Sequence, residues 1–283
     1  MIKKFFFLLL LQFIFLPTII EAARIDTLRV HSASMNKEIA TLIIVPTPAS
    51  EQDAGAVYPV LYLLHGHGGN ESNWLGVRPD LGTLADKYGL YIVCPDAQNS
   101  WYWDSPVQLE SKYETFISIE LPAYIDAHYA TVPSRLGRAI TGFSMGGHGA
   151  LWNALRHPEV FGVAGSTSGG VDIRPFSDNW NLKELLGAYE EFPTHWENHT
   201  VINLIEGFSE KMCVPTLIID CGMDDFFLEV NQALHHKLVE KGIRHDFILR
   251  PGAHDGAYWA NSIEYQLLFF HLFFSSHLPT TKV

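Results

Sequence analysis

Gly142-Phe143-Ser144-Met145-Gly146 joins two segments of different character. Ahead of it, residues 138–141 form a short apolar run suited to a buried strand; behind it, Gly147-His148-Gly149-Ala150-Leu151 opens a helical segment. A serine between glycines at a strand-to-helix turn has a mechanical reading. Side chains at the flanking positions would collide in so tight a turn, and the serine hydroxyl is lifted above the sheet edge.

The same alternation extends outward from this turn. Residues 58–64, 90–94, 138–141, 163–166, 215–220 and 245–249 are short apolar runs bounded by Gly, Pro or Asp, as expected of strands buried on both faces. Helical segments fit between them at 81–87, 113–129, 145–156, 228–241 and 257–274, with Leu234, Leu238 and Val239 at helical spacing. Nearer the N-terminus, residues 25–31 and 38–45 read as two strands joined by a turn around Met35-Asn36, and 46–56 as a surface loop. Strand–helix alternation predicts an α/β fold, a mainly parallel central sheet with helices on both faces. Residues 24–283 suffice for one such domain. The stretch 172–212 is long for a connection and carries Trp180, Trp196 and two short helical candidates, so an insertion near the site is expected.

A serine hydroxyl is a weak nucleophile and needs a base, itself oriented by a carboxylate. In this kind of sheet the order is serine, acid, histidine, each after a strand. Strand 215–220 runs into Cys221-Gly222-Met223-Asp224-Asp225, and spacing alone leaves Asp224 and Asp225 as alternatives. Strand 245–249 runs into Arg250-Pro251-Gly252-Ala253-His254-Asp255-Gly256, which makes His254 the base. The other histidines fit less well: His65 and His67 precede the serine, His148 sits one turn into its helix, and His235 and His236 lie within a helix. His195 and His199 have i, i+4 spacing but no acidic third ligand, so no metal site is expected. Charge developing on a substrate oxygen needs fixed donors. The backbone N–H of Met145 is one candidate, and that of His67, in the Gly-rich stretch His65-Gly66-His67-Gly68-Gly69, is the other. Trp101, Tyr102 and Trp103 follow the strand at 90–94; Trp101 and Trp103 are candidates to stack on a sugar or aromatic acyl group, with packing of the loop itself as the equal alternative.

Bulk properties narrow the partners. The chain is 47% hydrophobic and carries a formal charge of −12, which argues against nucleic acid and anionic membranes. Lys3 and Lys4 precede an apolar run from Phe5 to Leu16, with Ala22-Ala23 as a cleavage site. This is the layout of a secretory signal peptide over residues 1–23, and the run is shorter than the about 20 residues of a membrane span. The expected location is secreted or periplasmic, with no membrane span in the mature chain. Three cysteines, Cys94, Cys213 and Cys221, do not make a disulfide framework and read as buried small apolar residues.

HGHGGNESNWL, ELPAYIDAHY, GFSMGGHGAL, IDCGMDDFFLEVNQALHHKLVEKGI and PGAHDGAYW, in that order, resemble the putative esterase family of α/β-hydrolases over roughly residues 25–275. That family includes S-formylglutathione hydrolases, tributyrin-type esterases, mycolyltransferases, and feruloyl and acetylxylan esterases of carbohydrate esterase family 1. The resemblance implies Ser144 as nucleophile, His254 as base, Asp225 as acid, and His67 and Met145 as oxyanion donors. It implies an enzyme without cofactor or metal, acting on a small-molecule or carbohydrate-linked ester. The formylglutathione enzymes carry a cysteine where this chain reads His67-Gly68-Gly69, so short-chain and polysaccharide-directed esterases resemble it more. A thioesterase, an acyltransferase and a binding protein without catalysis are the rival expectations.

Overall fold

The computed structural model describes residues 23–48, 55–208 and 213–278. The expected signal peptide falls almost wholly on residues 1–22, outside the described residues, and so does most of the 46–56 loop.

Eight strands form one sheet in the order β1-β2-β4-β3-β5-β6-β7-β8. β1 (Arg24–Ser32) and β2 (Lys37–Val45) make an antiparallel hairpin, and β2 pairs antiparallel with β4 (Tyr91–Pro95). From β4 onward, β3 (Val60–Leu64), β5 (Arg138–Gly142), β6 (Val163–Thr167), β7 (Thr216–Gly222) and β8 (His245–Arg250) all run parallel. The expected α/β architecture is present.

Helices α1 (Asn73–Val77) and α2 (Leu81–Tyr88) follow β3. The segment expected as one helix from 113 is α3 (Tyr113–Thr115), a π turn (Phe116–Glu120) and α4 (Leu121–His128) in unbroken succession. α5 (Met145–Arg156) follows β5 directly. Among its described residues the 172–212 stretch holds three α-helices, α6 (Leu182–Leu186), α7 (Pro193–Asn198) and α8 (Val201–Leu204), one more than expected, besides 3-10 turns at Arg174–Phe176 and Ile205–Gly207. α9 (Leu228–Glu240) and α10 (Gly256–His277) complete the chain.

β3 shows why the central strands lack polar alternation. Val60, Tyr62 and Leu64 enter one core, with Trp152 and Leu155 of α5, while Leu61 and Leu63 enter the other, with Leu84 of α2 and Ile263 and Leu267 of α10. Both faces are covered, so every position along the strand is apolar. Cys94 lies in the second of these cores and Cys221 is fully buried at the end of β7. Cys213, by contrast, is exposed just ahead of β7, and none of the three is paired. Among the described residues no helix is long and apolar enough to cross a membrane.

Parallel strands end their C-terminal edges on the same side of the sheet. The turns after β3, β5, β7 and β8 therefore meet in one place, which is where such sheets hold ligands.

Candidate active site

Ser144 is the second of the two residues between β5 and α5 and caps the helix, with φ 57° and ψ −119°. That is a conformation L-residues rarely adopt, and it is held because the turn is closed on all sides. A Cβ on Gly142 would lie 2.5 Å from the Leu64 carbonyl oxygen, and one on Gly146 would lie 2.4 Å from the same atom. The glycines of the motif thus let β3 and the α5 N-terminus touch, and the serine is forced outward.

Ser144 Oγ lies 2.9 Å from His254 Nε2. The other imidazole nitrogen, Nδ1, faces both oxygens of Asp225, at 3.0 and 2.9 Å. A carboxylate can only accept from it, so Nδ1 carries the hydrogen and Nε2 presents its lone pair to the serine hydroxyl. Asp225 also accepts from the Phe227 N–H at 2.8 Å, which fixes the carboxylate. Asp225 is buried and Asp224 is exposed, so the backbone after β7 selects between the adjacent acids. Three aromatic rings hold His254: Phe226 at 4.2 Å, Trp259 at 5.1 Å and Phe227 at 5.4 Å between centroids.

The loop after β3 runs against the serine, since a Cβ on Gly66 would lie 3.5 Å from Ser144 Cβ. The backbone N–H groups of His67 and Met145 donate to no protein acceptor among the described residues. Two free donors beside a serine can receive an oxyanion. Burial lowers the pKa of the His67 imidazole, opposed by the Asn181 side chain and the Trp180 backbone.

The segment after β4 braces this loop. Tyr102 Oη donates to the His65 carbonyl at 2.9 Å, Asn99 Oδ1 accepts from Gly68 N–H at 2.7 Å, and His65 Nε2 accepts from Ala97 N–H at 3.0 Å. The expectation that Trp101 and Trp103 stack on substrate is not met. They are 1% and 0% exposed, stacked on each other at 5.6 Å, and both pack edge-on against His148. Backbone at positive φ in Trp101 and Tyr102 turns these rings inward under α5. Aromatic surface near the site comes instead from the exposed Phe226, beside Asp225, and the half-buried Trp180, from the insertion. The Phe226-Phe227 doublet directly after the acid was the sequence signal for this. His195 and His199 point their Nδ1 atoms at the carbonyls of Leu186 and His195, respectively.

A family profile described as "Putative esterase" matches residues 32–270. The chain is 29% identical to an acetyl esterase of Caldicellulosiruptor saccharolyticus over 228 residues, 72% of this chain and 82% of that protein. It is 28% identical to the S-formylglutathione hydrolase of Mus musculus over 227 residues, 71% of this chain and 77% of that protein. A solved structure of a ferulic acid esterase superposes with a TM-score of 0.76 at 27% identity, covering 89% of this chain and 98% of that one. With its profile match running from β1 into α10, the chain belongs to this esterase family, as a serine hydrolase of carboxylic esters.

Proposed function

We propose that this protein is an exported carboxylesterase that removes acetyl, other short acyl or feruloyl groups from plant polysaccharide, through Ser144, His254 and Asp225. The observation that carries the reading is the unbroken contact from Ser144 Oγ through His254 to Asp225. Ser144 Oγ attacks the ester carbonyl carbon while His254 Nε2 takes its proton. The carbonyl oxygen becomes an oxyanion received by the N–H groups of His67 and Met145. Asp225 holds the imidazolium in place. The carbon–alcohol bond then breaks, and the proton on Nε2 passes to the departing alcohol oxygen. A water attacks the acyl-enzyme next, giving its proton to His254, and the carboxylic acid leaves as Ser144 regains a hydrogen. No metal or cofactor enters this sequence.

The acetyl esterase and ferulic acid esterase likenesses support the two acyl classes. The mouse relative favours a second reading, hydrolysis of S-acylglutathione. Activity with S-formylglutathione above that with oxygen esters would establish it. The N-terminal layout supports export, and sequencing the N-terminus of the protein recovered outside the cytoplasm should begin after residue 23.

The principal test is hydrolysis of p-nitrophenyl acetate, p-nitrophenyl butyrate and methyl ferulate by the wild type and Ser144→Ala. A fall of roughly 10⁴- to 10⁶-fold in kcat is expected for the variant. Equal rates in the two proteins would remove Ser144 from the reaction.

A further inference from the structure

Two aromatic side chains at the mouth of the site take no part in the acyl-transfer steps. Phe226 lies 4.2 Å from the His254 ring, yet half of it, 50%, remains exposed. Trp180 stacks against it at 5.8 Å with 21° between the planes. Trp180 is itself held by Phe227 at 5.2 Å and Phe176 at 5.5 Å. Trp180 and Asn181 both sit at positive φ, 50° and 58°, a costly backbone for two successive non-glycine residues. The insertion is thus bent to bring an indole over the residue that follows Asp225.

The chemistry fixes which part of a substrate meets these rings. His254 Nε2 must deliver a proton to the departing oxygen, which requires that oxygen within about 3 Å of it. The alcohol's carbon skeleton then extends over whatever flanks His254, while the acyl group lies across the carbonyl carbon from it. Of the three rings against His254, Phe227 is fully buried, and Trp259 spends a face on Phe143, stacked at 4.0 Å. Phe226 alone combines contact with the imidazole and half its surface open. Its exposed half offers apolar surface that a ring of similar width can cover. A sugar presents an apolar face through its C–H groups, whereas a small alcohol such as ethanol covers little of that surface.

We propose that Phe226, backed by Trp180, is the specificity-determining wall of the leaving-alcohol subsite, and that the alcohol it holds is a sugar. The proposal rests on Ser144 and His254 acting as described above. It assigns alcohol selection to the residue after Asp225 and to the insertion, and leaves the acyl group to other residues.

The test compares two acetates, ethyl acetate and a mono-O-acetylated methyl xyloside. Both pass through the same acyl-enzyme and both release an alkanol, so the ratio of their kcat/KM values reads the alcohol alone. The wild type should favour the sugar ester. Phe226→Ala should reduce that ratio about tenfold, the scale of losing a few apolar contacts in a pocket. Any loosening of His254 affects both esters and cancels in the ratio. Phe226→Tyr should restore it, and Trp180→Ala should reduce it without touching His254. Should Phe226→Ala fail to fold, Phe226→Leu and Trp180→Ala read the same ratio. An unchanged ratio in these variants, or a wild type indifferent to the sugar, overturns the proposal while p-nitrophenyl acetate hydrolysis leaves the esterase reading standing. Loss of all three activities in the wild type overturns both.

Discussion

Trp103 donates its indole N–H to His148 Nε2 at 2.9 Å, and His148 donates Nδ1–H to the Gly170 carbonyl at 2.8 Å. An indole only donates and a carbonyl only accepts, so His148 is held as one neutral tautomer. A proton added at Nε2 would break the Trp103 bond inside a fully buried nest of Trp101, Trp103 and Trp152.

Burial accordingly pushes the His148 pKa down from 6.5 to about 3. The unfolded chain then takes this proton before the folded one does. The stabilisation is complete above pH 6.5 and is lost progressively as the pH falls toward 3. The midpoint of urea unfolding should therefore decline between pH 7 and pH 4. His148→Gln, which can still donate and accept, should decline less steeply because one buried titrating group is gone. Parallel pH profiles for the two proteins would show that His148 does not carry this sensitivity.

Asp225 and Asp224 are neighbours in sequence and opposite in environment. Asp225 is buried against His254, while Asp224 is exposed and contributes its N–H to the Gly252 carbonyl at 2.9 Å. Asp225→Asn should lower kcat by roughly 10⁴-fold, because the amide disfavours the Nδ1–H tautomer that Asp225 imposes. Asp224→Asn preserves the backbone bond and should stay within about threefold of wild type, since its side chain contacts no part of the triad. Steady-state kinetics on p-nitrophenyl acetate separates them, and the reverse ranking would transfer the acid's role to Asp224.

The succession of strands and helices along the chain and the serine turn were legible in the sequence because each rests on local constraints. Residues 60–64 are apolar throughout because both faces are covered, and the glycines around Ser144 answer close contacts with Leu64. The choice between Asp224 and Asp225 was not open to spacing, since it turns on how the backbone after β7 meets the loop after β8. The misplacement of Trp101 and Trp103 has a similar origin. Their position after a strand end was right for a site, but positive φ at Trp101 and Tyr102 directs the rings under α5. Phe226 and Trp180 meet only in the folded chain, 46 positions apart in sequence. No local periodicity marks such a pair.

Glu114 gathers three donors on the far side of α5. Arg156 Nε and His157 Nε2 reach Oε1 at 2.7 and 3.0 Å, and Trp152 Nε1 reaches Oε2 at 2.9 Å. Burial alone would raise this carboxyl, but the bonds from His157, Arg156 and Trp152 together outweigh it and hold the pKa near about 2, down from 4.5. A depressed acid stabilises the fold above its unfolded pKa, and this contribution is lost as the pH falls from 4.5 through about 2. Glu114→Gln should cost on the order of 2–3 kcal/mol at pH 7 by urea unfolding. The gap from wild type should narrow below pH 4.5. A gap independent of pH would mean that packing, and not ionisation, sets the cost.

Asp220, at the end of β7, is fully buried and belongs to no step of the reaction. Ser262 Oγ donates to it at 2.5 and 2.6 Å to the two oxygens, Gln266 Nε2 at 2.7 Å and Thr167 Oγ1 at 3.2 Å. Arg250 Nη2 lies 3.4 Å away. Burial pushes the Asp220 pKa up, and the bonds from Ser262 and Gln266, the Arg250 charge and the Thr167 bond oppose it. The cluster joins β6, β7, β8 and α10, and α10 begins two residues after His254. Asp220→Ala leaves the buried Ser262 and Gln266 without this acceptor and takes the carboxylate from Arg250, which should cost roughly 3–5 kcal/mol by urea unfolding. Because α10 anchors the loop bearing His254, kcat should fall while the protein is still folded, with the triad residues themselves unchanged. A variant within about 1 kcal/mol of wild type would show that water replaces the carboxylate at no large cost, and that α10 is held by its apolar face alone.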